Sequence, residues 1–412
     1  MDARIYWCWL QLALPPGNRL AGPLLERFGG AGEIYEAGEG ALREAEIPEP
    51  ELTRLLNKEL GPARRLLAAA LALPEGWVMT PDDAGYPLQL RELDDLPLLL
   101  HGLGTMPPTE YEPCIGMVGT RKAREIGMDA AYRIGYGLAA GGMTVVSGGA
   151  VGIDGASLTG ALDAGGRVVS IQACGLDVDY PVENRELRRR ILKTGGMLIS
   201  EYPPGTPPLP HHFPVRNRLI SGMAAGVCVV EAGSRSGALI TASHAREQGR
   251  DVFAVPGEIL TAANSGSNRL IKQGARLVDS AVEILEEYRW RFSGLLDFEE
   301  AERARDVRRP TVGRGADRTK KPPSCAAAET SAPGGLSRPP ERKEGPERER
   351  VCPDEVTGFA RTVYELLEKQ PLHIDELAAL SGQPASLVLA ALTQLEIAGC
   401  AAGESGQRYR RT

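Results

Sequence analysis

The chain has 412 residues, 42% of them hydrophobic, with 47 basic and 54 acidic side chains and a formal net charge of −7. That length suits two or three domains, at least one with a sizeable core, and the acidic balance argues at first sight against a nucleic-acid partner. Seven cysteines without a C-x-x-C pair and five scattered histidines exclude a disulfide framework and a structural zinc site as expectations. Counted by region, however, residues 1–109 hold 9 basic and 16 acidic side chains, whereas 110–290 hold 19 of each. A neutral middle region still carries a basic face if its arginines cluster.

Residues 1–72 predict a small helical domain. Ile5–Leu14, Leu20–Phe28 and Glu51–Leu73 have helical length and apolar spacing, broken by Pro15-Pro16-Gly17 and by Gly29-Gly30-Ala31-Gly32. The order is that of small SAM-like or helix-hairpin-helix modules, and its acidity favours a protein-contact or structural role over direct DNA binding. The first apolar run is too short to span a bilayer and lacks a basic leader and a small-residue cleavage site. No membrane span and a cytoplasmic location are therefore expected.

After a proline-rich connection, short apolar runs alternate with helices. Strands are predicted at Cys114–Val118, Met143–Val146, Val168–Ala173, Met197–Ser200, Val227–Glu231 and Val252–Val255, with a last one at Arg276–Val278. The intervening helices are predicted at Glu125–Ala140, Gly152–Ala164, Glu183–Thr194, Phe213–Ala224, Gly237–Gln248, Ser267–Gln273 and Ser280–Trp290. This pattern predicts an α/β domain with a Rossmann-like, doubly wound parallel sheet over residues 73–293. Ligands of such sheets bind outside the carboxyl ends of the strands.

The turns at those ends are small and partly basic. Gly119-Thr120-Arg121-Lys122 follows the first strand, Ser147-Gly148-Gly149 the second, and Gly233-Ser234-Arg235-Ser236-Gly237 the fifth. The helix after the fourth strand opens with Arg216-Asn217-Arg218, whose guanidinium forks suit phosphate. The glycine turn 147–149 running into a helix is an expected anion site. Pairing of the arginines with Glu201 or Glu231 to fix loops is the competing use. There is no dinucleotide fingerprint, P-loop, hydrolase elbow or metal-binding set, so no cofactor and no catalytic residues are expected.

Between Phe298 and Phe359 the chain has no aromatic residue and is rich in Arg, Glu, Pro, Ala and Gly, which predicts a disordered linker at 294–353. Residues 354–412 predict three short helices and a small hairpin, an arrangement like a winged helix. Its third helix, Ala385–Ala398, has no Lys or Arg, so a protein-contact role is expected there.

The blocks VGTR at 118–121, SGGAVGID at 147–154, GLDVDYPVENREL at 175–187, LISEYPPGTPP at 198–208, FPVRNRLISG at 213–222, SGALITASHAREQGRDVFAVPG at 236–257 and GSNRLIKQGARLV at 266–278 together resemble the DNA-processing protein A (DprA/Smf) family. The resemblance implies a non-enzymatic, dimeric protein that binds single-stranded DNA and hands it to the RecA recombinase in natural transformation. It assigns Arg121, and Arg167 just before the third strand, to a cationic pocket, and places the dimer surface at Leu270, Ile271 and Leu277. The full expected DNA set is Arg121, Lys122, Ser147, Gly148, Gly149, Arg167, Arg216, Asn217, Arg218, Arg235, Ser236 and Gly237. Leu158 and Ile126-Gly127 stand where the family usually has His and Tyr-Gly. A related possibility is a nucleoside-monophosphate phosphoribohydrolase, but the turn 233–241 lacks the glutamate of that motif.

Overall fold

The computed structural model describes residues 2–105 and 112–310, and within 359–411 the segments 359–367, 372–381, 383, 388, 391–392, 395, 400–404 and 408–411. Two compact units result, divided between residues 316 and 317.

The first unit begins with six helices: α1 Arg4–Ala13, α2 Ala21–Phe28, α3 Ala31–Glu36, α4 Glu39–Arg43, α5 Glu49–Leu56 and α6 Gly61–Leu71. The helix predicted from Glu51 to Leu73 is two helices, because Gly61-Pro62 opens a new first turn in which proline lacks no needed donor. Trp7, Trp9, Leu10, Ile34 and Leu55 form the centre of this core. The polar ends of the two tryptophans are satisfied by Asp82 at 2.7 Å and by the Asn57 carbonyl at 2.8 Å. The same core takes in Val78, Leu96, Leu98 and Leu99, and Gln11 donates to the buried Glu201 carbonyl at 2.8 Å.

The sheet has nine strands: β1 Gly76–Met79, β2 Leu100–Gly104, β3 Cys114–Val118, β4 Thr144–Ser147, β5 Val168–Gln172, β6 Met197–Ser200, β7 Gly226–Val229, β8 Asp251–Ala254 and β9 Arg276–Leu277. Its order is β1-β2-β6-β5-β4-β3-β7-β8-β9. From β6 to β9 all pairings are parallel, with Ile115 opposite Val145 on one side of β3 and Gly226 on the other. β1 and β2 add an antiparallel margin, His101 of β2 facing Ser200 of β6. The connecting segment of the sequence reading thus contributes two strands, which makes the sheet mixed; few apolar runs and many prolines hide them.

Helices cover both faces: α7 Leu88–Arg91, α8 Glu125–Ala140, α9 Ile153–Asp163, α10 Arg185–Lys193, α11 His212–Gly222, α12 Ala238–Glu247, α13 Ser265–Lys272 and α14 Ala281–Glu287. Strand residues alternate between two cores: Ile115 and Met117 with α8 and α9, and Cys114 and Val118 with α11 and α12. Burying each such side chain contributes about 1.5–3 kcal/mol. α8 and α9 touch at backbone distance. A Cβ at Gly160 would lie 2.1 Å from the Tyr132 carbonyl, and one at Gly135 would lie 2.3 Å from that of Ser157.

Residues 294–310, expected to begin the linker, are structured. Helix α15 Phe298–Arg303 and a 3-10 turn at Ala304–Asp306 lie against α8, with Ala301 and Ala304 buried. Asp297 caps α15 by accepting from the Glu300 amide at 2.9 Å. Leu296 and Phe298 pack on the same core as Ala301, so the segment's few apolar groups find their partners on α8 and its neighbours. The remaining linker residues lie outside those described.

The second unit contains α16 Phe359–Leu366, α17 Ile374–Ser381 and a three-stranded sheet of β10 Leu372–His373, β11 Ala401–Glu404 and β12 Arg408–Arg411, in the order β10-β12-β11. Val388, Leu392 and Leu395, on the segment expected as third helix, are buried with Val363 and Leu377. Most of that helix lies outside the described residues.

His101 is 1% exposed, and neither ring nitrogen has a hydrogen-bond partner. Burial pulls its pKa from 6.5 down to about 4. Since the unfolded chain binds the proton more readily, stability falls as pH drops from 6.5 to 4, by about 3 kcal/mol from this group. Replacing it, His101→Leu, is expected to flatten that acid limb in urea titrations at a series of pH values.

Candidate nucleic-acid interface

The strand order reverses beside β3: β4, β5 and β6 extend to one side of it, and β7, β8 and β9 to the other. The loops leaving the carboxyl ends of β3 and β7 therefore diverge, and a cleft of about 390 Å³ opens between them. Gly119, Thr120, Arg121 and Lys122 form one wall, Ser236, Gly237, Ala238 and Thr241 the opposite wall, and Phe213, Arg216 and Asn217 of α11 the floor and side.

Arg121 is exposed at the mouth. Its guanidinium lies over the Phe213 ring, 4.5 Å from the centroid, which holds a flexible cation against the floor. Lys122 is exposed beside it. Thr120 donates its amide to the Glu231 carbonyl at 2.8 Å, tying the β3 loop to the end of β7. Arg124 is fully engaged, with Glu231 at 3.3 Å, Glu258 at 2.8 Å and the Asn264 side chain. The loop-fixing use of arginine applies to this residue.

Arg216 is 4% exposed and donates to the Gly148 carbonyl at 2.9 Å and to the Ile171 carbonyl. Burial lowers its pKa to about 10, with Asp154 opposing the shift. The Asp154 carboxyl is raised by burial, against the pull of the Arg216 and Arg121 guanidiniums. Gly148 sits between the two groups: a Cβ there would lie 2.6 Å from Arg216 Nη2 and 2.7 Å from Asp154 Oδ2.

The glycine turn expected to hold an anion is engaged within the protein itself. Ser147 is buried and donates from Oγ to the Met117 carbonyl at 2.6 Å. Asn184 donates to the carbonyls of Gly149 and Ala150 at 3.0 and 2.9 Å, and the start of α9 is occupied by Asp154, which accepts from the Ala150 amide at 3.4 Å. Ser147, Gly148 and Gly149 are buried behind the cleft, and the close approach of Arg216 is what requires a small residue at Gly148.

Three further expectations change. Arg218, only 2% exposed, donates from Nη2 to both Glu201 carboxylate oxygens at 2.8 Å and pairs through Nε with Asp95 at 3.2 Å. Two residues along a helix turn a side chain through about 200°, so Arg216 and Arg218 cannot share the cleft. Arg167 precedes β5 and thus lies at the amino-terminal rim of the parallel strands, away from the cleft, paired with Glu112 at 2.5 Å. Leu270 is a core residue at 5% exposure. Ile271 is partly buried against that core, whereas Leu277 on β9 is 49% exposed.

Asn217 bridges α11 to the opposite wall by donating to the Gly237 carbonyl at 3.4 Å. Arg235 is exposed on the β7 loop, and Ser236 accepts from the Ala238 amide at 3.4 Å. Phe213 was missing from the expected set, although an aromatic residue three positions ahead of Arg216 at a strand-end rim is a usable signal. Its neighbour His212 stacks on Tyr202, with centroids 4.0 Å apart, and meets the Ala173 carbonyl at 3.2 Å, so it packs the loop. Among the described residues no group of His, Cys, Asp or Glu is arranged to hold a metal, and no helix is long and apolar enough to cross a membrane.

The fold and cleft define a Rossmann-like α/β protein with a cationic, aromatic-floored site at its switch point. Residues 77–289 match the family model described as DNA recombination-mediator protein A, and residues 347–407 match the DprA winged helix domain. A Smf protein of Synechocystis is 34% identical over 336 residues, covering 81% of this chain and 79% of its own. The DNA processing protein DprA of Streptococcus pneumoniae is 42% identical over 206 residues, half of this chain and 72% of that one. The X-ray structure of the pneumococcal DprA aligns with a TM-score of 0.60 at 33% identity, covering 70% of this chain and 98% of that one. This chain belongs to the DprA/Smf family of DNA recombination mediators.

The two arginines are separable by stability. Arg218→Ala leaves Glu201 buried without its partner and is expected to cost about 3–5 kcal/mol. Arg121→Ala, at an exposed position, is expected to stay within about 0.5 kcal/mol of the parent. Urea denaturation of both variants checks the contrast.

Proposed function

We propose that this protein binds single-stranded DNA through the cleft between β3 and β7, as a recombination mediator without catalytic activity of its own. The observation that carries this is the Arg121 guanidinium resting on the Phe213 ring at 4.5 Å, with Arg216 buried behind it. A cation and an aromatic face at one opening match a phosphate followed by an unstacked base, which favours single strands with little sequence preference. A cleft of about 390 Å³ takes a nucleotide or two, not a double helix. Lys122 and Arg235, exposed on the two flanking loops, extend the positive path beyond it. Membership of the mediator family supports delivery of the strand to RecA and action as a homodimer.

Mobility shifts of single- and double-stranded oligonucleotides at fixed salt test the reading directly, since affinity depends steeply on salt. Preference for the duplex overturns it. Arg121→Ala should weaken single-strand binding roughly 10- to 100-fold, the worth of one charge-assisted contact. Arg121→Lys should recover only part, because an ammonium cannot fork. Release of free base from nucleoside monophosphates would instead favour the phosphoribohydrolase alternative.

For the dimer, half-exposed Leu277 on the edge strand β9 is the informative position. Leu277→Arg should give a folded monomer by sedimentation, near normal on a short oligonucleotide and clearly weaker on a long one, as expected when two linked sites act on one strand. A variant that remains dimeric places the self-association surface elsewhere.

A further inference from the structure

The segment after α14 runs the length of α8, from its last turn to its first. At the carboxyl end, Asp297 donates its amide to the Gly141 carbonyl at 3.1 Å. Gly142 adopts φ 87°, and a Cβ there would lie 2.5 Å from the Leu295 carbonyl. A Cβ at Gly141 would lie 3.2 Å from that of Ala301. At the amino end, Arg309 donates from Nε to Asp129 Oδ1 at 2.8 Å and pairs through Nη2 with Glu125. The Arg309 side chain is 23% exposed, against 77% for Glu125 and 52% for Asp129. The segment is therefore a strap whose one clamped arginine sits at the cleft end of α8.

That end matters electrostatically. Glu125 is the first residue of α8, where the helix dipole favours a carboxylate. It lies four residues from Arg121, at most about 14 Å of extended chain and less in a turn, comparable to the screening length of about 8–10 Å at physiological salt. Arg124, the nearest cation in sequence, is held by Glu231, Glu258 and Asn264 and cannot serve these carboxylates. Without Arg309, Glu125 has Arg121 and Lys122 of the cleft mouth as its nearest cations in the chain besides Arg124, whereas Asp129 has Arg133 one turn further along α8.

We propose that Arg309 is a positioning residue for the DNA cleft: by clamping Glu125 and Asp129 it cancels two negative charges beside the entrance and leaves Arg121 and Lys122 free for phosphate. The proposal rests on the cleft being the single-strand site. It makes the strap part of the DNA-binding apparatus although no atom of it lines the cleft.

The test is fluorescence anisotropy of a short labelled oligothymidylate across a salt series, with thermal melts to verify folding. Arg309→Ala should weaken binding roughly three- to tenfold at low salt, the deficit closing as salt rises. Arg309→Lys should retain most of the affinity, since it keeps the charge. In a Glu125→Gln/Asp129→Asn background, adding Arg309→Ala should change affinity by less than about twofold, because the charges it cancels are gone. Wild-type affinity for Arg309→Ala overturns the proposal, as does an undiminished loss in the carboxylate-free background, which would make Arg309 a direct phosphate contact. Arg121→Ala in the same assay separates the two levels. If it binds normally, the cleft reading fails; if it is weak while Arg309→Ala is normal, only the clamp fails. Should Arg309→Ala unfold, the Arg309→Lys variant and the carboxylate pair decide.

Discussion

The guanidinium of Arg216 is the interaction on which the site depends. It reaches from α11 to carbonyls at the ends of two neighbouring strands, Gly148 beyond β4 and Ile171 in β5, and so fastens a helix to the rim it borders. A buried cation in such a place needs its hydrogen bonds and a nearby negative charge; carbonyls supply the first and Asp154 the second. The glycine at 148 follows from this arrangement, since any side chain would occupy the space between the two charges. Phe213, one turn earlier on α11, is thereby held where Arg121 can rest on it.

Much of the architecture is legible in the sequence because buried parallel strands leave a plain signal. Cys114–Val118 and Glu125–Ala140 coincide with β3 and α8, each being a continuous apolar run or a clean helical period bounded by Gly, Pro or a basic turn. The antiparallel margin is not legible: β1 and β2 lie among prolines, and β2, on which β1 pairs, joins the sheet only through β6, a partner nearly a hundred residues away. α15 is hidden for the same reason, since its stability resides in the surface of α8.

Candidate residues divide along a similar line. The loops at strand ends could be named from topology alone, and Arg121, Lys122, Ser236 and Gly237 do meet at one cleft. Which of Arg216 and Arg218 faces it is decided by helical rotation and by the position of Glu201 and Asp95, neither of which spacing reveals. Arg167 was placed by resemblance to relatives, and strand direction puts it at the other rim. Leu270 shows the limit of apolarity as a guide to surfaces, because a core leucine and an interface leucine read alike until burial is known.

The glycine contact between α8 and α9 has a mechanical consequence. With Gly135 and Gly160 pressed against facing backbone, no side chain separates these helices, and neither can slide without opening a gap along the whole pair. The loops at their heads, 119–124 and 147–152, are consequently carried on a single stiff plate. Their spacing is set by the packing of the two helices, so the wall at 119–122 and the ground behind it are built before anything enters. One side of the opening is therefore a fixed stop, and any widening falls to the facing wall at 236–241.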